Sequence, residues 1–224
     1  MKRGVDRAVA WNAVWVFLLI LMSVPFALYA LDRGLAVSDA VEQAGARLFH
    51  AADLMASAGI YGHMVTGALA MVLAPLQLLG FVRSRWPVLH RMAGYAVAAL
   101  ATLTALGGIG YIARQGSIGG PVMSAGFTLY GLLMLLSVVQ TVRFVVRRDP
   151  RHRLWAERLV ILVMASWLYR VHYGLWEILT GGIGSREDFT GLFDRVQVFA
   201  FYLPYLAVHA WVWQYRIAAR AKLA

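Results

Sequence analysis

Six long apolar runs, each closed by charged residues, constrain this chain more than any other feature. They cover approximately Trp11–Leu31, Ile60–Val82, Val88–Ile112, Val122–Val146, Leu154–Thr180 and Val196–Tyr215. Each reaches the roughly 20 apolar residues a helix needs to cross the hydrocarbon core. The runs are continuous rather than alternating, which selects helices over the strands of a barrel. With 61% hydrophobic and 14% charged residues in 224, a water-soluble fold could not hide so much apolar surface. The mean hydropathy of +0.65 agrees. The expected fold is all-α: one polytopic transmembrane domain of six helices over residues 1–224. The first run, from Ala8 to Leu31, exceeds the roughly 7–15 residues of a signal-peptide core, so it reads as an uncleaved span.

Charge gives the spans a direction. Lys2, Arg3 and Arg7 precede the first span, and Arg83, Arg85 and Arg91 join the second to the third. Arg143, Arg147, Arg148, Arg151, Arg153 and Arg158 join the fourth to the fifth, and Arg216, Arg220 and Lys222 follow the sixth. These are fifteen of the 21 basic residues, and the alternate loops hold only Arg33, Arg47, Arg114, Arg186 and Arg195. The positive-inside rule therefore predicts both termini in the cytoplasm, with the chain in an inner (cytoplasmic) membrane. The formal charge of +10 sits in short clusters between apolar runs, which argues against nucleic acid as a partner. The bilayer is the expected partner, with anionic lipid at the cytoplasmic arginines and a membrane protein or second copy as further partners. Cysteine is absent, which removes disulfides, thiolate metal sites and cysteine nucleophiles.

The segment Ala36–Gly59 carries Asp39, Glu42, Arg47 and Asp53 among Val41, Leu48 and Leu54. That pattern predicts a short amphipathic helix on the outer surface, either lying in the interface or capping the span ends.

Phe81-Val82-x-x-Arg85-x-Pro87 leading to His90-Arg91 recurs as Phe144-Val145-x-x-Arg148-x-Pro150 leading to His152-Arg153. Residues 60–112 and 122–180 thus read as two copies of one hairpin, an arrangement some transporters use. The demands of a cytoplasmic turn would produce the same likeness, and both explanations stay open. In the second span His63, Gly67, Ala70, Ala74 and Gln77 share one side. In the third, His90, Gly94, Ala98, Ala101, Ala105 and Gly108 do the same. Small residues let helix backbones approach closely in lipid, so these faces are expected at the bundle centre.

What remains is polar. Arg170 falls inside the fifth span, roughly 24 Å from its cytoplasmic end, with Tyr173 and Glu177 further along the same face. Charges inside a membrane usually face a partner or a wet cavity. A salt bridge to Glu177 or Asp194 is the plain expectation, and an arginine that contacts a ligand is the sharper one. The histidines are candidate ligands of a b-type haem, since neutral imidazole suits iron. His63 is expected roughly 5 Å below its helix end and His172 roughly 12 Å below its own, while His209 is deeper in the sixth span. His90 and His152 sit at the cytoplasmic interface beside Arg91 and Arg153. No phosphate loop, zinc-protease motif, nucleophile elbow or paired catalytic carboxylates can be found, so no soluble-type catalytic residue is assigned.

The stretch from about His63 to Arg170 resembles a bacterial integral membrane family, domain of unknown function 2306. The resemblance rests on His63 followed by Pro75-Leu76-Gln77, then His90-Arg91-Met92-Ala93-Gly94-Tyr95. It continues in His152-Arg153-Leu154-Trp155, Arg158 and Arg170. Ala74, Ala156 and Leu159 depart from the family's usual residues there. The family has no assigned reaction, so the resemblance implies a fold rather than an activity.

Two candidate clusters follow. The inner one is His90, Arg91, His152, Arg153 and Arg158, and the outer one is His63, Arg170, His172 and Glu177. Gln77, Tyr95 and Trp155 are read as structural polar residues. The expected function is a non-enzymatic accessory or small-ligand-binding membrane component. The alternatives are a quinone-linked b-haem electron carrier and a small anion transporter using Arg170.

Overall fold

The computed structural model describes residues 2–36 and 47–221, with side chains over 11–36 and 47–215. Within these residues there is no strand, and six helical segments are long and apolar enough to cross a bilayer. They are Trp11–Leu35, Leu54–Leu78, Pro87–Gln115, Gly120–Val146, His152–Thr180 and Leu192–Tyr215. The chain divides into two compact units, Met1–Gln115 and Gly116–Ala224, each holding three spans. Residues 60–112 fall in the first unit and residues 122–180 in the second.

In the first unit, the first span lies in a helix running Lys2–Leu35. It packs on the second span through Val16, Ser23, Ala27 and Ala30, all buried, and through Gly34, which lies against Tyr61 and Val65. The second span starts at Leu54, six residues before the expected Ile60, because Asp53 caps it: the Asp53 carboxylate accepts from the Ala56 amide at 3.1 Å. Pro75 closes its α-helical part, since proline offers no amide and crowds the preceding turn. A 3-10 turn over Pro75–Leu78 and a short helix Gly80–Arg85 then lead to the third span, which has Pro87 at its first turn. The expected outer helix over Ala36–Gly59 is corrected in part. Residues 37–46 lie outside the described residues, Arg47–Asp53 form turns, and Leu54–Gly59 already belong to the second span.

The small-residue faces meet as their spacing predicts. Ala70, Ala74, Ala98, Ala101 and Ala105 are buried. Gly59 faces Gly107 backbone to backbone, and Gly67 lies against Thr104. A Cβ at Gly107 would collide with the Gly59 carbonyl and push the two helices apart.

The second unit packs differently. The fourth span is capped at Gly119, whose φ of 83° suits a residue without a Cβ. The sixth span consists of two helices, Leu192–Ala200 and Leu203–Ala221. It bends at Phe201–Tyr202, where Pro204 removes the amide that would have continued the ladder. The two rings at the bend are buried and pack with Phe127, Tyr130 and Tyr169. Ring hydroxyls anchor this cluster to helix backbone: Tyr130 donates to the Leu162 carbonyl, and Tyr202 donates to that of Gly126 at 3.1 Å.

Candidate functional site

Within the first unit, His63 lies nine positions into its helix, roughly 14 Å deep rather than the expected 5 Å, because the helix starts earlier. Its Nδ1 is 2.7 Å from the Thr104 carbonyl, which can only accept. Nδ1 therefore carries the proton and Nε2 holds the lone pair. The ring lies against Gly108, where a Cβ would collide with it. One turn on, the Thr66 and Thr104 hydroxyls bond at 2.8 Å. Gln77 lies across from Gly94, close enough that an added Cβ would press on its Oε1 at 3.3 Å. His90 is half-buried at the start of the third span, and Arg91 and Tyr95 are exposed. At the other end of the same pair of spans, Asp53 joins two helices. Its oxygens accept from Arg114 Nε at 2.7 and 3.0 Å and from Gln115 at 2.9 Å.

In the second unit a carboxylate also ties span ends together. Asp194 is fully buried. It accepts from the Tyr173 and Ser185 hydroxyls at 2.8 Å each, from the Arg186 amide at 3.0 Å and from the Gly191 amide at 2.9 Å. The loop after the fifth span is thereby folded onto the start of the sixth. One turn below, Gln197 bonds His172 Nδ1 at 2.8 Å, while His172 Nε2 meets the Tyr205 hydroxyl at 2.7 Å. Both imidazole nitrogens of His172 are thus engaged. Arg170 and Glu177 occupy exposed positions on the fifth span, and Trp176 packs flat on Phe193, ring centres 4.5 Å apart.

At the end of this unit that carries the arginine-rich loop, the candidate residues take separate local partners. His152 Nδ1 bonds the Asp149 carbonyl at 2.9 Å. Arg158 stacks on Trp155 at 4.6 Å. Arg153 pairs with Glu157 one turn on, Nε to Oε1 at 2.8 Å. The other oxygen of Glu157 receives His209 Nε2 at 3.0 Å from the sixth span. Arg153, Glu157 and His209 thus form one chain of polar contacts that crosses two helices.

Glu157 and His209 open onto a groove of about 450 Å³ between the fifth and sixth spans. Its other walls are Ile161, Pro204, Tyr205, Val208, Val212 and Trp213. The two polar side chains are only 17% and 13% exposed. His209 Nδ1 is buried with no hydrogen-bond partner among the described residues. In a neutral histidine whose Nε2–H donates to a carboxylate, Nδ1 keeps its accepting lone pair. The arginine–glutamate spacing of four was visible in the sequence. The match of Glu157 with His209 was not, since no local signal links positions 52 apart. Among the described residues no group of three or more His, Asp or Glu is arranged to hold a metal ion.

A family model described as "predicted membrane protein", domain of unknown function 2306, matches residues 60–213 of this chain. No curated protein and no solved structure matches it.

Proposed function

The chain belongs to that family of predicted membrane proteins, and from this premise we propose that it acts as a small-ligand-binding component of the bilayer. The ligand is a neutral amphiphile held in the groove between the fifth and sixth spans. The observation that carries the reading is the half-buried Glu157–His209 pair in an otherwise apolar cleft. Ligand sites are typically concave, mostly apolar and marked by a few convergent polar groups, at roughly 300–1,000 Å³. One Glu–His pair in an apolar cleft favours an amphiphile with a small hydroxyl-bearing head, such as a hydroquinone or a long-chain alcohol, with the tail along Val208, Val212 and Ile161. The loop charges support a cytoplasmic position for both termini in an inner membrane. A reporter active only in the cytoplasm, fused after Ala224, should be active, and an inactive fusion would reverse this orientation.

The test is extraction of protein purified in mild detergent, followed by mass spectrometry of the organic phase. Wild type should yield one non-phospholipid amphiphile near stoichiometry, and His209→Leu should lose most of it while still eluting as folded protein. An extract with bulk phospholipid alone, or an amphiphile that His209→Leu retains, would overturn the reading.

A b-type haem is the second reading, and one observation favours it. Donation of His63 Nδ1–H to a backbone carbonyl is the arrangement that orients a histidine ligand and leaves Nε2 for a metal. His172 fits less well as it stands, because Gln197 and Tyr205 hold both of its nitrogens. An absorption spectrum after haem-replete expression separates the readings. A Soret band that shifts on reduction and disappears in His63→Ala would establish the second.

A further inference from the structure

The turn after the fourth span holds an arginine where a glycine would be favoured. The helix Gly120–Val146 ends with Arg147 as its cap. The Arg148 amide donates to the Val145 carbonyl at 3.0 Å and the Asp149 amide to that of Phe144 at 2.9 Å. This paired closure requires a left-handed residue in the position after the cap, and glycine is the usual occupant. Here the position belongs to Arg148, with φ of 54°. A side chain with a Cβ is disfavoured in that conformation, so the turn is less stable with Arg148 than it would be with glycine.

The neighbouring charges explain why this arginine differs from the rest of the run. Arg151 is clamped to Asp149 through Nε and Nη2 and lies over the Phe144 ring at 4.5 Å. Arg153 is paired with Glu157. Arg147 and Arg148 are exposed, and neither has a carboxylate within ion-pair distance among the described residues. Both follow directly on the exposed Val146 at the end of a membrane-crossing helix, which is headgroup depth. In the matching motif of the first unit, Arg85 is the last residue of a short helix and has no positive φ. The positive-inside rule needs only charge somewhere in the loop and gives no reason to place it on a left-handed residue.

We propose that Arg147 and Arg148 form a binding site for the phosphate of an anionic phospholipid headgroup, with Arg148 kept at its left-handed position to aim its guanidinium. Arginine suits phosphate because its planar fork donates two parallel hydrogen bonds. The site is separate from the groove between the fifth and sixth spans.

Binding would be measured on the full chain in neutral detergent by titrating phosphatidylglycerol or phosphatidylcholine and following the unfolding midpoint. Phosphatidylglycerol should stabilise wild type and phosphatidylcholine should not. Arg148→Gly should weaken phosphatidylglycerol binding about fivefold, and the pair Arg147→Gln with Arg148→Gly about 25-fold. Without lipid, Arg148→Gly should unfold at or above the wild-type midpoint, which keeps loss of binding apart from loss of fold. Equal binding of both lipids, or full phosphatidylglycerol binding by Arg148→Gly, would overturn the proposal. Millimolar inorganic phosphate reproducing the whole effect would assign the site to a free anion and overturn the lipid assignment.

Discussion

The second and third spans meet through Gly59, Gly67, Ala101, Thr104 and Gly107, whereas the fourth, fifth and sixth meet through Phe127, Tyr130, Tyr169, Phe201 and Tyr202. Lipid tails are as apolar as leucine, so neither set is held by a hydrophobic drive of the kind that works in water. The first set gains contact by bringing backbones together. The second interlocks rings whose hydroxyls reach helix carbonyls. Each unit also ties span ends with one aspartate, and here too the solutions differ. Asp53 works at a wet end with Arg114 and Gln115, while the four named donors to Asp194 are uncharged and the carboxylate is fully buried. A backbone crossing cannot yield to a new atom, and a buried carboxylate cannot be removed without stranding its donors.

That contrast ranks the expected effects. Asp194→Ala leaves two hydroxyls and two amides without their acceptor and should cost about 3 kcal/mol, since hydrogen bonds to a charged group are worth ~1.5–3 each before relaxation. Unfolding in detergent, followed by circular dichroism, reads this directly. A midpoint within error of wild type would show that the loop over residues 181–191 is held by something else. Gly107→Ala comes next, at about 2 kcal/mol, because the new Cβ would press on the Gly59 carbonyl and overpacking costs ~1–3. Gly110→Ala is its control: nothing lies within 4 Å of a Cβ there, so this variant should hold or gain stability. If the two alanines behave alike, close backbone approach is not what joins these spans. Tyr130→Phe keeps the ring and loses one buried hydrogen bond, so a loss of about 1 kcal/mol is expected. A loss several times larger would mean that the hydroxyl, rather than the ring, organises the aromatic cluster.

These residues also mark what a sequence discloses about such a protein. The faces of the second and third spans were legible because close approach demands small side chains at every helical turn, and that demand is written with the helix's own period. Span ends were less legible. Hydropathy does not register that Asp53 can cap a helix, so the second span was expected to start at Ile60 rather than at Leu54. The bend at Phe201–Tyr202 had a signal in Pro204, which a long apolar run conceals. The polar sites were least legible. His63 with Thr104, Glu157 with His209 and Gln197 with His172 each depend on the register of two helices. Nothing local in a chain records that register.

The smallest expected effect tests the wet clasp. The hydrogen bond from Arg114 and the Ala56 amide hold the Asp53 carboxyl down at about 2, against an ordinary 3.8. A carboxyl whose value is lowered by folding contributes stability that is complete above the unfolded value and lost as pH falls through the folded one. The contribution of Asp53 should therefore be present in full above about pH 4 and disappear toward pH 2. Asp53→Asn should unfold at a slightly lower midpoint than wild type at pH 6. The gap should close on acidification, and also at high salt, because the pair with Arg114 lies at an exposed end and is screened. Asp194 has no such exposed cationic partner named among its four donors, so the deficit of Asp194→Ala should change much less with salt. A salt response of equal size in both variants would show that the two clasps do not differ in kind.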